Sequence, residues 1–91
     1  MSRFTVEMLL NNRFGVLNRI TGLYSKRCYN IETIHAGPTE IPGVTKLVIE
    51  STGDEYMKTQ VIAQLEKLYD VRKVEITKEE PDEPESPENA V

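Results

Sequence analysis

Phe4-Thr5-Val6-Glu7-Met8-Leu9-Leu10-Asn11-Asn12-Arg13-Phe14-Gly15-Val16-Leu17-Asn18-Arg19-Ile20-Thr21-Gly22-Leu23-Tyr24 changes its hydrophobic period in mid-course, and that change decides the fold. Phe4, Val6, Met8 and Leu10 alternate with Thr5, Glu7 and Leu9, the period of two that turns one side of a strand toward a core. Asn11-Asn12-Arg13-Phe14-Gly15 interrupts the alternation with turn-forming residues. Val16, Leu17, Ile20, Leu23 and Tyr24 then recur at the spacing of one helical face, with Arg19, Ser25 and Lys26 on the other side. Arg27 suits the last turn, where a cation complements the helix dipole.

Outward from this strand–turn–helix unit, Tyr29 to Ala36 is rich in β-branched and aromatic residues and is closed by Gly37-Pro38. Ile41-Pro42-Gly43 forms a hairpin-like connection into Val44 to Thr52. Gly53-Asp54-Glu55 supplies a breaker, a cap and a first-turn acid for a second helix. That helix carries Met57, Val61, Leu65 and Leu68, and Asp70 ends the run. Val71 to Thr77 reads as a last strand with Val71, Val74 and Ile76 as its apolar residues. The order is β-α-β-β-α-β, an α+β ferredoxin-like sandwich with a four-stranded antiparallel sheet and both helices on one face. Right-handed crossovers are expected to place the first and third strands parallel at the centre. The second strand then lies at a sheet edge. Residues 29–36 contain no proline and one charge, Glu32, so the edge is weakly defended and predicts a side-by-side homodimer whose sheets join.

A chain of 91 residues accommodates one small domain, which buries only about two thirds of its unfolded surface and gains from pairing. All 11 Lys and Arg lie in residues 1–78 with nine acids, so this part is nearly neutral. Residues 79–91 hold six acids and no base. Their proline-rich, apolar-poor start, Glu79 to Glu88, has too little surface to bury to offset the entropy of ordering. The expected organisation is thus a domain over 1–78 and a disordered acidic tail over 79–91. No stretch reaches the ~18 apolar residues of a membrane span, and the N-terminus lacks a signal-peptide layout. A cytoplasmic protein is expected. Cys28, the one cysteine, has no partner for an internal disulfide.

Catalytic arrangements find little material. His35 is the one histidine, and no C-x-x-C motif is present, so metal clusters and metallochaperone chemistry lack ligands. A Ser or Cys nucleophile would require His35 beside Ser25, Ser51 or Cys28 with an orienting acid, and nothing selects that geometry. Arg13 and Asn12 suggest an acylphosphatase, but the glycine-rich phosphate cradle is missing. RNA-recognition domains share the element order but stack bases on strand aromatics, and Val44 to Glu50 has none. Gly15 leaves the first helical N–H groups open to a small carboxylate. The plain reading beside it is a tight turn at Gly15 with Asn12 capping the helix.

Asn12-Arg13-Phe14-Gly15-Val16-Leu17-Asn18-Arg19-Ile20-Thr21-Gly22-Leu23-Tyr24-Ser25-Lys26-Arg27-Cys28-Tyr29-Asn30-Ile31-Glu32 resembles the opening of the small regulatory subunit of acetolactate (acetohydroxyacid) synthase, in its single-ACT-domain form. The likeness continues through Ala36-Gly37-Pro38-Thr39, Gly53-Asp54-Glu55 and Leu65-Glu66-Lys67-Leu68-Tyr69-Asp70-Val71. The resemblance implies an ACT domain that pairs edge to edge and binds a branched-chain amino acid, usually valine, at the junction. Carried over by position, Asn12, Gly15, Val16 and Leu17 form the loop side of that site, and Asn30 and Ile31 of the other copy form its strand side. It further implies a non-catalytic chain that activates a separate large subunit and mediates its feedback inhibition. Thiamine diphosphate, FAD and magnesium are expected on that partner and no cofactor on this chain. Arg13, Phe14 and Cys28 depart from the family pattern, which has an acid, Ser or Pro, and a small residue there. Many members also carry a second domain. The alternative is a free-standing ACT-type amino-acid sensor acting on a different metabolic enzyme.

Overall fold

A computed structural model describes residues 2–27 and 29–81. The expectations for Cys28 and for residues 82–91 lie outside the described residues. The elements are β1 (Ser2–Asn11), α1 (Val16–Lys26), β2 (Asn30–Pro38), β3 (Val44–Gly53), α2 (Glu55–Glu66) and β4 (Val71–Pro81). The sheet order is β2-β3-β1-β4, and every neighbouring pair is antiparallel. This is the expected ferredoxin-like sandwich with one correction. β1 and β3 are adjacent but antiparallel, because each helical crossover passes over one strand. The parallel pairs it creates, β1 with β2 and β3 with β4, are therefore separated by an intervening strand.

The alternation in β1 places Phe4, Val6, Met8 and Leu10 beneath the helices, all essentially inaccessible. Leu47 and Ile49 of β3 lie opposite Met8 and Val6 on the same face. Val16, Ile20 and Tyr24 of α1, and Val61 and Leu65 of α2, close the core from above. Leu17 belongs to the apolar stripe by spacing, yet it lies on the helix flank and is 43% exposed. Asp54 caps α2, its carboxylate accepting from the Met57 N–H at 2.8 Å.

Both edge strands carry register shifts, and each rescues an apolar pattern that a regular strand would break. In β2 the pairing steps from Ile31 opposite Ser51 to Thr33 opposite Glu50, leaving Glu32 extra. Ile31 and Ile34, three residues apart, thereby face the same side. In β4, Arg72 and Thr77 are skipped, so Val71, Val74 and Ile76 all pack against the core cluster.

β4 runs to Pro81, three residues beyond the domain limit expected at residue 78. β1 begins at Ser2 and so offers ladder partners opposite Pro81, Glu80 and Glu79. The two carboxylates also meet cations: Glu79 reaches Lys58 at 2.7 Å and Glu80 reaches Arg3 at 3.4 Å. Composition alone assigned Glu79 and Glu80 to the tail, and the ladder outweighs it. Gly37 and Pro38, expected to close the second strand, lie within β2 opposite Lys46 and Thr45. An edge position tolerates proline because its N–H side has no ladder to complete.

Candidate functional site

Three loops meet at the end of the sheet where β1 stops. The Asn12 N–H donates to the Gly43 carbonyl at 2.8 Å, which joins the β1–α1 loop to the β2–β3 loop. The Asn11 N–H donates to the Asp70 carbonyl at 2.8 Å, which joins β1 to the α2–β4 loop. Asp70 is nearly buried, and its carboxylate accepts from Asn11 Nδ2 at 3.1 Å and faces Arg13 at 3.6 Å. The strand-to-helix turn is therefore held on two sides.

Gly15 is the cap residue of α1, with φ +85°, a left-handed conformation that favours glycine. No side chain caps this helix, so Asn12 does not perform the capping role of the plain reading. A Cβ at Gly15 would meet nothing within 4 Å, so the turn demands glycine for its backbone angle and leaves open space above it. The first helical N–H, that of Val16, donates to the Arg13 carbonyl at 3.2 Å, and no side chain caps the N–H groups that follow it.

A cleft of about 410 Å³ opens beside this turn, lined by Asn12, Leu17, Ala36, Pro38, Ile41 and Thr45 among others. That volume falls in the range of small-ligand sites, roughly 300–1,000 Å³. Leu17 earns its partial exposure here, as an apolar wall rather than a core residue. The hairpin residues Ala36 to Thr45 were not among the site residues expected from the sequence. Their signal was Ile41, an apolar residue in a turn, which the structure leaves 50% exposed. Val16 is buried at the base of the helix and supports the turn.

Asn30 and Ile31 are elsewhere in the same chain. Asn30 pairs with Thr52, whereas the end of β1 that leads into Asn12 pairs with Val44, eight residues back along β3. At about 3.3 Å per residue the separation is roughly 26 Å. The Asn30 amide donates to Glu32 at 2.8 Å and to Thr52 at 2.9 Å. Ile31 is half-buried against the core. His35 is exposed, opposite Val48, and among the described residues no cluster of three metal-ligating side chains occurs.

Comparisons with known proteins identify the family and the fold. The family model described as the AHAS small subunit-like ACT domain matches residues 6–73. The chain belongs to this family. It is 46% identical over 72 residues to the acetolactate synthase small subunit of Buchnera aphidicola (subsp. Schizaphis graminum), covering 79% of this chain and 46% of that protein. It is 42% identical over 72 residues to the isozyme 3 small subunit of Escherichia coli, covering 79% of this chain and 44% of the relative. The crystal structure of the Thermotoga maritima small subunit superposes with a TM-score of 0.76 at 36% identity, covering 81% of this chain and 46% of that one. The ACT domain of a Chlorobium tepidum GTP pyrophosphokinase, at 24% identity and a TM-score of 0.70, shares the fold. The chain spans a little under half the length of the first two of these relatives. Its ACT domain corresponds to the small subunits and not to a catalytic polypeptide.

Proposed function

We propose that this domain is the effector-binding module of an acetolactate synthase small subunit, taking a branched-chain amino acid, valine, between two copies joined along β2. The carrying observation is the placement of the two halves of the site at opposite ends of one edge strand. The cleft beside Asn12 and Leu17 adjoins Ala36 to Pro38, at the C-terminal end of β2. Asn30 and Ile31 begin the same strand. Antiparallel pairing of β2 with β2 of a second copy about a two-fold brings the start of one strand beside the end of the other. Asn30 of the second copy then arrives at the cleft, and two equivalent sites form. Within one chain the roughly 26 Å separation prevents it.

Each part of an amino acid has a counterpart. The carboxylate suits the N–H groups that open α1 beyond Val16, whose own N–H is taken by the Arg13 carbonyl. Asn12, Asn30 and the Glu32 carboxylate beside Asn30 offer polar partners to the ammonium. Leu17, Ile31 and Ile41 give an aliphatic side chain its wall. Such contacts separate valine from leucine by only about 1–3 kcal/mol.

The domain carries out no chemistry in this reading. It activates a separate catalytic large subunit, which holds thiamine diphosphate, FAD and magnesium in the cytoplasm. Effector binding shifts that complex toward a less active state through a coupling free energy between two sites.

The test is a thermal melt of the purified chain with rising valine, with alanine as control. Binding to the folded dimer stabilises it by about 2.7 kcal/mol at one hundred times the dissociation constant. A saturating, valine-selective rise supports the reading. No rise at millimolar valine, either alone or with the large subunit present, sinks it.

A further inference from the structure

We propose that the loop end of the domain, centred on Phe14 and Tyr69, is the surface that docks on the catalytic large subunit. The proposal rests on the regulatory reading above. Phe14 is fully exposed at 106%, and Tyr69 is 80% exposed. Rings of this size bury about 150–250 Å² each when covered, so leaving two in water forfeits a large hydrophobic gain. They stand on loops that are joined to each other. Phe14 follows Arg13 and Tyr69 precedes Asp70, and the Arg13 guanidinium stands 3.6 Å from the Asp70 carboxylate. The Asn11–Asp70 backbone bond at 2.8 Å fixes the two loops to each other. The aromatic rings thus sit on a braced platform, which lowers the ordering cost of binding.

Exposed Arg13, Lys67 and Arg72 lie in or beside these loops, against one exposed acid, Glu66. An aromatic centre with a basic rim is the composition of an interface hot spot, and it fits an apolar face with acidic surroundings. The second copy does not compete for it. Its place is the β2 edge, whereas Tyr69 leads into β4, three strands across the sheet and roughly 14 Å away. Continuity with the effector cleft decides the occupant. Residues 12–15 carry the partner-facing Phe14 between Asn12 and Gly15, both on the effector side. A ligand that orders this loop changes the seat of the partner, which is the shared element that coupling requires.

The experiment titrates the purified chain into the acetolactate synthase large subunit of the same organism and follows synthase activity. Phe14→Ala and Tyr69→Ala are compared with Tyr56→Ala, an equally exposed aromatic on α2 at the opposite end. Activation by the wild-type chain tests the regulatory reading, and its absence ends both proposals. Given activation, each loop variant should need roughly tenfold more chain for half-maximal effect, while Tyr56→Ala matches wild type. Light scattering and the valine-dependent melt should stay as in the wild type. Unchanged titrations for both loop variants overturn the docking surface and leave the regulatory reading standing. Conversion of a dimer to a monomer by either variant also overturns it, because the patch would then be covered by a second copy.

Discussion

The Lys58 ammonium on α2 meets the Glu79 carboxylate on β4 at 2.7 Å, tying the last strand to the helix above it. Hydrogen bonds from Lys58 to Glu79 first, and to Glu55 second, push the lysine pKa up. A raised pKa means that the contribution is complete below the ordinary lysine value of 10.5 and is lost as pH rises through the folded value. Lys58→Ala should free the end of β4: amides of residues 78–80 exchange faster, and the melting temperature moves little because the Glu79 carboxylate stays half in water. Unchanged exchange there would mean that the β1 ladder alone holds the extension.

Tyr24 packs edge-on against Tyr29 with centroids 5.9 Å apart, yet its hydroxyl is buried without a hydrogen-bond partner, as is Ser51 Oγ. Burial pushes the Tyr24 pKa up to about 12, and nearby Ser51 opposes that rise without reaching hydrogen-bond geometry in the structure. The neutral form is favoured in the fold, so stability is complete below pH 10 and declines between 10 and about 12. The loss over that window is about 2–3 kcal/mol. Tyr24→Phe removes an unsatisfied group and should be neutral or up to about 1 kcal/mol more stable at pH 7. It should also flatten the alkaline decline. A marked destabilisation at pH 7 in urea titrations would show that the hydroxyl has a partner in solution.

Gly15 holds φ +85°, where an L side chain costs about 1–2 kcal/mol. Gly15→Ala should lose about that much stability and remain folded, because open space surrounds the new Cβ. Gly15→Asp adds a carboxylate at the positive end of α1, which offsets part of the strain by about 0.3–1 kcal/mol. That same carboxylate occupies the seat proposed for the effector. The aspartate variant should therefore be no less stable than the alanine variant but show no valine-dependent rise in its melt. Retained valine response in Gly15→Asp removes this turn from the site.

Ile34 lies near the middle of β2, on the helix side, and is 42% exposed. An inward charge on an edge strand is a standard barrier to strand pairing. Ile34→Lys should leave the monomer folded and abolish the dimer in sedimentation velocity. Loss of the dimer should remove valine binding with it, since each site draws on both copies. A variant that stays dimeric would place the pairing surface away from β2.

Element order and the core face of β1 were legible because periodicity is a local property. Phe4, Val6, Met8 and Leu10 announce a half-buried strand with no reference to their partners. Asp54 was equally legible as a cap, since capping depends on residues three apart. Ile31 with Ile34, and Val71 with Val74, broke the period of two, and only the bulges at Glu32 and Arg72 made sense of them.

What the sequence determined by itself was the set of elements, the glycine turn at Gly15 and, through the resemblance, the family. Only the tertiary structure decided that β1 and β3 run antiparallel, that β4 continues to Pro81, and that Leu17 lines a cleft rather than the core. It also decided that Asn12 and Asn30 stand at opposite ends of the sheet. The physical reason is the range of the interactions involved. Hydrophobic period, capping and turn chemistry act over a few neighbouring residues. Strand direction, ladder length and the meeting of Arg13 with Asp70 depend on pairings dozens of residues apart, which no local pattern encodes.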